Sequence, residues 1–282
     1  MQKIFVLGAG TMGAGIAQAA AEAGCKVILA DVKTEYSEQA KKKIAGFLDK
    51  KREKGQLQEE EIEKILSRIT ITTDLQKAAG TELVIEAILE EPKAKQKVFA
   101  RLDTICAPET VLATNTSALS ISAIASSTAH PERVVGIHFF NPVAKMKLVE
   151  IVRGKQTCDE TVAKALAFAE ELKKVPVLVN ESPGFIVNRL LIPMINEAAY
   201  ALQDGVAEKE AIDTAMKLGA AHPMGPLELA DLIGLDVCLY IMEIFEREFA
   251  SDKYAAAPIL KKMVQKGDLG RKTGRGFYEY PR

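Results

Sequence analysis

The chain is poor in the residues that build metal centres and disulfide frames. It has three histidines and four cysteines among 282 residues. Cys25, Cys106, Cys158 and Cys238 are scattered, with no Cys-x-x-Cys pair and no histidine at ligand spacing. That pattern excludes a zinc knuckle or a disulfide-stapled fold and points to reduced thiols in a cytoplasmic protein. No apolar run approaches the roughly 18 residues that a membrane span needs. A net charge of −1 gives no global attraction to nucleic acid or to a membrane surface. The first apolar run starts within three residues of Met1, so no leader peptide is expected ahead of it. Otherwise the composition, 48% hydrophobic and 27% charged, is that of a soluble globular protein long enough for two domains.

The informative stretch is residues 3–31. An apolar run, Ile4 to Leu7, leads into Gly8-x-Gly10-x-x-Gly13, then a small-residue helical pattern, then a second apolar run, Lys26 to Ala30, and then Asp31. This order builds a dinucleotide site. Gly8 allows the tight turn after the strand, Gly10 keeps the backbone open to a pyrophosphate, and Gly13 lets the helix pack against the strand. The helix N-terminus favours the pyrophosphate's negative charge. Asp31 ends the second strand, where a carboxylate accepts from ribose hydroxyls and repels a 2′-phosphate. NAD is therefore expected over NADP, although Lys26 and Lys33 lie close enough to soften the discrimination.

The first half alternates strand and helix. Strands are expected at Ile69–Thr72, Leu83–Ile88, Val111–Thr114, Val134–Phe139, Leu148–Val152 and Val175–Val179, and a helix at about 92–103. The polar stretch 35–68, broken at Gly55-Gln56, reads as two antiparallel helices. Ile44, Phe47 and Leu48, then Ile62, Ile65 and Leu66, supply a narrow apolar stripe. The pair is expected to form an arm projecting from the sheet. Residues 41–54 carry seven basic side chains against Asp49 and Glu53, a net of +5. Beyond Pro183-Gly184 the patterns at Phe185–Gln203, Ala211–Leu218, Pro226–Phe249 and Pro258–Lys266 are all helical. The expected architecture is an α/β, Rossmann-type doubly wound sheet, residues 1–183, joined to an all-α domain, residues 184–282.

Few polar groups stand where chemistry is expected. His130 reads as a solvated loop residue and His222 as a structural one. His138 interrupts the strand Val134–Phe139 near its end, and open α/β sheets place ligands at the carboxyl ends of strands. A lone histidine there is either a satisfied core residue or a base. Glu150 sits in the apolar run Leu148-Val149-Glu150-Ile151-Val152, where an unpaired carboxylate is costly to bury. The short loop 141–147 would return this strand beside His138, so the two side chains would meet; otherwise Glu150 lies on a solvent face. Ser117, just past a strand, either bonds a substrate oxygen or caps the next helix. Asn188, in an apolar helix start, either makes a directed contact into a cleft or plays no such part.

At these residues the chain resembles the 3-hydroxyacyl-CoA dehydrogenases, closest to the bacterial 3-hydroxybutyryl-CoA type. The segments are GAGTMGAGIAQ (8–18), VIEAI (84–88), ATNTSALSI (113–121), GIHFFNPVAKMKLVEIV (136–152), SPGFIVNRLL (182–191), HPMGPLELADLIGLD (222–236) and GRKTGRGFYEY (270–280). The resemblance implies a catalytic pair at His138 and Glu150, with Ser117 and Asn188 orienting the substrate between the two domains. It places cofactor contacts at Gly8, Gly10, Thr11, Met12, Gly13, Asp31, Glu90, Lys95, Asn115, Asn141 and Lys272. It makes Lys50 and Lys54 candidates for the phosphates of an acyl-CoA, and a +5 patch on a near-neutral protein suits such a polyanion. The other meaning of the patch is a solvated helix face. The implied reaction is NAD-dependent interconversion of 3-hydroxyacyl-CoA and 3-oxoacyl-CoA, without a metal. A homodimer through the helical domain is implied as well.

Two other readings are open at this stage. β-Hydroxyacid dehydrogenases that act on free acids share the two-domain plan but use a lysine in the helical domain, and no lysine occurs between Val175 and Lys209. A catalytically silent, crystallin-like protein would keep the NAD site alone, without need of His138 and Glu150.

Overall fold

The computed structural model describes residues 1–281. It divides into two compact units, Met1–Ser182 and Pro183–Arg282.

The first unit is built on eight strands: β1 (Lys3–Leu7), β2 (Lys26–Ala30), β3 (Ile69–Thr72), β4 (Leu83–Glu86), β5 (Val111–Thr114), β6 (Val134–Phe139), β7 (Leu148–Arg153) and β8 (Val175–Asn180). Its helices are α1 (Thr11–Glu22), α2 (Thr34–Glu53), α3 (Glu59–Ser67), α4 (Pro92–Ile105), α5 (Ile121–Ala125) and α6 (Asp159–Glu171). The strand order is β3-β2-β1-β4-β5-β6-β7-β8. The first six run parallel in the doubly wound order, which puts the topological switch between β1 and β4. β7 turns back antiparallel to β6, and β8 is parallel to β7.

The inner strands are apolar because both faces are covered. All four residues of β4 and β5 and all six of β6 are buried. β4 stops at Glu86, two residues earlier than the sequence pattern implies, because the Glu86 side chain turns back to accept from the Ile88 N–H. Helix α6 has no counterpart among the patterns read from the sequence. It buries Val162, Ala165, Phe168 and Ala169 against the sheet core.

The stretch read as a projecting arm is a pair of helices with one buried face. Helices α2 and α3 exist on either side of Gly55, but Ala40, Ile44, Leu48, Ile62 and Ile65 pack into the same core as α1 and β3. A narrow stripe suffices because α1 presents mostly alanines, which let α2 approach closely. Lys51 of α2 also pairs with Glu22 of α1 at 2.7 Å. Phe47 is not part of that packed stripe: it is 56% exposed.

The second unit is helical: α7 (Val187–Gln203), α8 (Lys209–Gly219), α9 (Pro226–Ile233), α10 (Leu235–Phe249) and α11 (Pro258–Lys266). The single helix expected over Pro226–Phe249 is two. Gly234, at φ +107°, leaves helical backbone and separates α9 from α10. Two buried aspartates organise this unit. Asp213 caps α9 by accepting from the Leu227 and Glu228 N–H groups, at 2.8 and 2.9 Å. Asp231 fixes the C-terminal segment by accepting from Phe277 N–H, Tyr278 N–H and Tyr280 O–H. Among the described residues no helix is long and apolar enough to cross a membrane.

Candidate active site

The glycine turn has the shape a pyrophosphate needs. Gly8 has φ +103°, which side chains avoid, and a Cβ there would meet the Ala87 carbonyl at 2.4 Å. A Cβ on Gly13 would lie 1.7 Å from the Gly8 carbonyl, so α1 can approach β1 only with glycine at this position. A Cβ on Gly10 would meet nothing within 4 Å, which leaves open space over the backbone at the N-terminus of α1. Gly10 is the N-cap and has no side chain to satisfy the first N–H groups of α1 itself. These residues fit a dinucleotide.

Asp31 is held by backbone donors at both carboxylate oxygens. Its Oδ2 accepts from the Ala9 N–H at 2.6 Å and its Oδ1 from the Val32 N–H at 2.7 Å. The carboxylate thus braces the glycine turn, and an ionised carboxylate has acceptor sites left for a ligand hydroxyl.

The histidine and the carboxylate meet. β6 and β7 pair antiparallel with His138 directly opposite Glu150. His138 Nδ1 lies 2.6 Å from Glu150 Oε2. Glu150 is fully buried and His138 nearly so. With Glu150 ionised, Nδ1–H donates to it, and Nε2 is the basic nitrogen. The His138 ring also packs on Phe140, centroids 4.5 Å apart.

The loop between the two strands is anchored from outside. Val143 is buried and touches α1 at Gly15, where a Cβ would lie 2.9 Å from the Val143 side chain. The Lys174 ammonium donates to the carbonyls of Val143 and Met146. Burial pulls the Lys174 pKa down from its ordinary value. Asn141 is exposed on this loop. Asn115 accepts from the Phe139 N–H at 2.9 Å and so ties the end of β5 to the end of β6.

A buried ionic network that the sequence reading missed supports the neighbouring turn. Glu86 is fully buried at the end of β4 and accepts from Lys95 Nζ at 2.6 Å, Thr114 Oγ1 at 2.8 Å and the Ile88 N–H at 2.7 Å. Lys95, 1% exposed, reaches Glu90 as well, at 3.3 Å. Glu90 accepts from the Thr116 hydroxyl and from the Ser117 N–H. Glu90 and Lys95 therefore hold the turn that carries Ser117. The available signal was the one used for Glu150, a carboxylate inside an apolar run, here Val84-Ile85-Glu86-Ala87-Ile88. The capping alternative for Ser117 fails, because Ser120 is the N-cap of α5 and accepts from Ala123.

A cleft of about 820 Å³ lies in the first unit, between α1, α2 and the loop after β6. Gly10 and Thr11 line it from α1, Phe47, Lys50 and Lys54 from the α2 side, and Asn141 from the loop. The glycine turn and the basic face thus share one cavity. Met12, in the first turn of α1, is half-buried. Asn188 and Lys272 belong to the second unit. Asn188 is the second residue of α7, and Lys272 pairs with Asp236 at 2.7 Å. His130 is not simply solvated; its Nδ1 lies 3.2 Å from Asp103 Oδ1.

The family described as 3-hydroxyacyl-CoA dehydrogenase, NAD binding domain, matches residues 3–182, and the C-terminal domain of the same family matches residues 184–280. The chain is 50% identical over 280 residues to a probable 3-hydroxybutyryl-CoA dehydrogenase of Bacillus subtilis, covering 99% of this chain and 98% of that one. It is 50% identical over 282 residues to a 3-hydroxybutyryl-CoA dehydrogenase of Clostridioides difficile, covering 99% of both. The crystal structure of (S)-3-hydroxybutyryl-CoA dehydrogenase from Ralstonia eutropha superposes with a TM-score of 0.98 at 44% identity, over the whole of both chains. With matches over both units, the chain belongs to the 3-hydroxyacyl-CoA dehydrogenase family of oxidoreductases, and its first unit is that family's NAD-binding domain.

Proposed function

We propose that this chain interconverts (S)-3-hydroxybutyryl-CoA and acetoacetyl-CoA with NAD(H), using His138 and Glu150 as its acid–base pair. The observation that carries this reading is the 2.6 Å contact between an imidazole and a fully buried carboxylate at the end of a central strand. The names of the relatives support the substrate class.

NAD, when bound, supplies the hydride acceptor of the oxidation. Gly8, Gly10, Thr11, Met12 and Gly13 would hold its pyrophosphate and Asp31 its adenosine ribose. Glu90, Lys95, Asn115, Asn141 and Lys272 are assigned to it by their correspondence with the family. In the oxidation His138 takes the proton of the C3 hydroxyl through Nε2, and Glu150 stabilises the resulting imidazolium. In the reduction the imidazolium returns that proton to the C3 oxygen. Acid–base help of this kind is worth about 10² to 10⁴ in rate. Ser117 and Asn188 orient the thioester. Lys50 and Lys54 neutralise CoA phosphates.

The protein is a cytoplasmic enzyme on this reading, consistent with four free cysteines. It self-associates through the second unit, where Leu190, Leu218 and Leu232 are exposed. Light scattering of the purified protein tests this, with a homodimer expected.

Steady-state assays at 340 nm, with acetoacetyl-CoA or free acetoacetate and NADH or NADPH, test the reading. Turnover is expected with the CoA ester and NADH. Comparable use of free acetoacetate would favour a β-hydroxyacid dehydrogenase, and no turnover with either would favour a silent NAD-binding protein.

A further inference from the structure

We propose that Phe47 is a stacking platform for the purine ring of the CoA nucleotide, an assignment that rests on the acyl-CoA reading above.

Phe47 is an apolar side chain in an unusual place. Its helical neighbours Ile44 and Leu48 are 1% and 0% exposed, whereas Phe47 is 56% exposed. Those two residues face the core with α1, and the Phe47 ring is left on the wall of the cleft. Lys43 and Lys50 stand four residues before and three after it, and Lys54 seven after, so all share its helix face. All three line the same cleft. Lys50 Nζ is 5.9 Å from the Phe47 ring centroid.

The arrangement is an exposed aromatic ring with the Lys50 ammonium over it and two further lysines lining the same cleft. Three other cations of this stretch are held elsewhere: Lys41 donates to the Ile69 carbonyl at 2.6 Å, Lys51 pairs with Glu22, and Arg52 pairs with Asp49 and Glu59. A ligand that uses both the ring and the lysines must present a planar π-system and several negative charges. An acyl chain would use neither the planar face nor the cations, and an inorganic anion would leave the ring in water. A phosphorylated adenosine uses both, since bases stack on aromatic side chains and lysines take phosphates. Because the cleft also includes Gly10 and Thr11, such a nucleotide would bind in the cavity that holds the glycine turn.

The experiment compares acetoacetyl-CoA with acetoacetyl-pantetheine, which lacks the nucleotide, in the wild type, Phe47→Ala and Phe47→Trp. Phe47→Ala is expected to raise KM for the CoA ester about 10-fold, with kcat within twofold and KM for the pantetheine ester unchanged. Phe47→Trp is expected to restore the CoA-ester KM. The natural sequence has no tryptophan, so Phe47→Trp also introduces a unique fluorophore. Free CoA is expected to quench its emission saturably, and free pantetheine to leave it unchanged. An unaltered KM in Phe47→Ala together with unquenched emission overturns the assignment of Phe47. A wild type that binds both thioesters with one KM overturns the nucleotide reading beneath it.

Discussion

His138 and Glu150 face each other across the β6–β7 ladder, and Nδ1 of the one lies 2.6 Å from Oε2 of the other. The pairing follows from the antiparallel return of β7, since in an antiparallel pair directly opposed side chains share a face. A carboxylate buried in this way fixes the imidazole tautomer and stabilises its charged form. Glu150→Gln keeps the shape and removes the charge. Activity is expected to fall about 10²-fold or more with the thermal stability of the fold retained. Turnover within a few-fold of the wild type in steady-state assays of Glu150→Gln would deny Glu150 this role.

The proposed phosphate role of Lys54 is testable apart from the acid–base chemistry. Lys54→Ala is expected to raise KM for acetoacetyl-CoA about 10-fold and to leave a truncated thioester unaffected, as a lost phosphate contact requires. Parallel steady-state curves with the two esters provide the check; an equal rise for both would place Lys54 elsewhere in the binding process.

The Glu86–Lys95 pair is buried on both sides, so removing one partner leaves the other charge without its full complement. Glu86→Gln is expected to destabilise the first unit by about 3 kcal/mol. Because Lys95 also reaches Glu90, which holds the Ser117 N–H, activity should fall further than stability alone explains. The apolar double substitution Glu86→Leu with Lys95→Met is expected to recover most of the stability without the activity. Chemical denaturation beside an assay at 340 nm measures both; recovery of activity in the double variant would make the network purely structural.

Asp103 supplies a pH dependence of known sign. Burial pushes its carboxyl up, but hydrogen bonds from Arg133, the Ala129 N–H and His130 outweigh this and hold it below its ordinary value of 3.8. The folded state therefore binds this proton more weakly than the unfolded chain. Its stabilising contribution is complete above about pH 5 and is lost as pH falls through the lower, folded value. Asp231 acts in the opposite sense. Burial raises its pKa, so ionising it weakens the fold as pH rises past 3.8 toward the folded value. Asp103→Asn is expected to lower the urea midpoint at pH 7 and to shrink the loss of stability between pH 5 and pH 2. An unchanged slope over that range would assign the acid sensitivity to other groups.

Much of the sheet was legible because parallel strands buried on both faces read as apolar runs, as Val111–Thr114 and Val134–Phe139 largely do, whereas the edge strand Ile69–Thr72 alternates isoleucine with threonine. The glycine turn was legible because only glycine meets its backbone demands at Gly8 and Gly13. The approach of His138 to Glu150 was only partly readable: the short loop let β7 return beside β6, and it is the register of the ladder that sets Glu150 opposite His138 rather than toward solvent. What was not legible depended on contacts distant in sequence. Nothing local says that α2 finds a complementary alanine face on α1, that Glu86 meets Lys95, or that Lys174 reaches back to the loop after β6. Phe47 shows the same limit. By periodicity it belongs with Ile44 and Leu48, and only packing leaves it facing the cleft.

The central claim is that His138 carries the proton, and His138→Gln assayed with acetoacetyl-CoA and NADH tests it most directly, with NADH affinity measured alongside by fluorescence. The account predicts a turnover lower by about 10² to 10⁴ with NADH affinity within twofold of the wild type. Turnover within a few-fold of the wild type would contradict it.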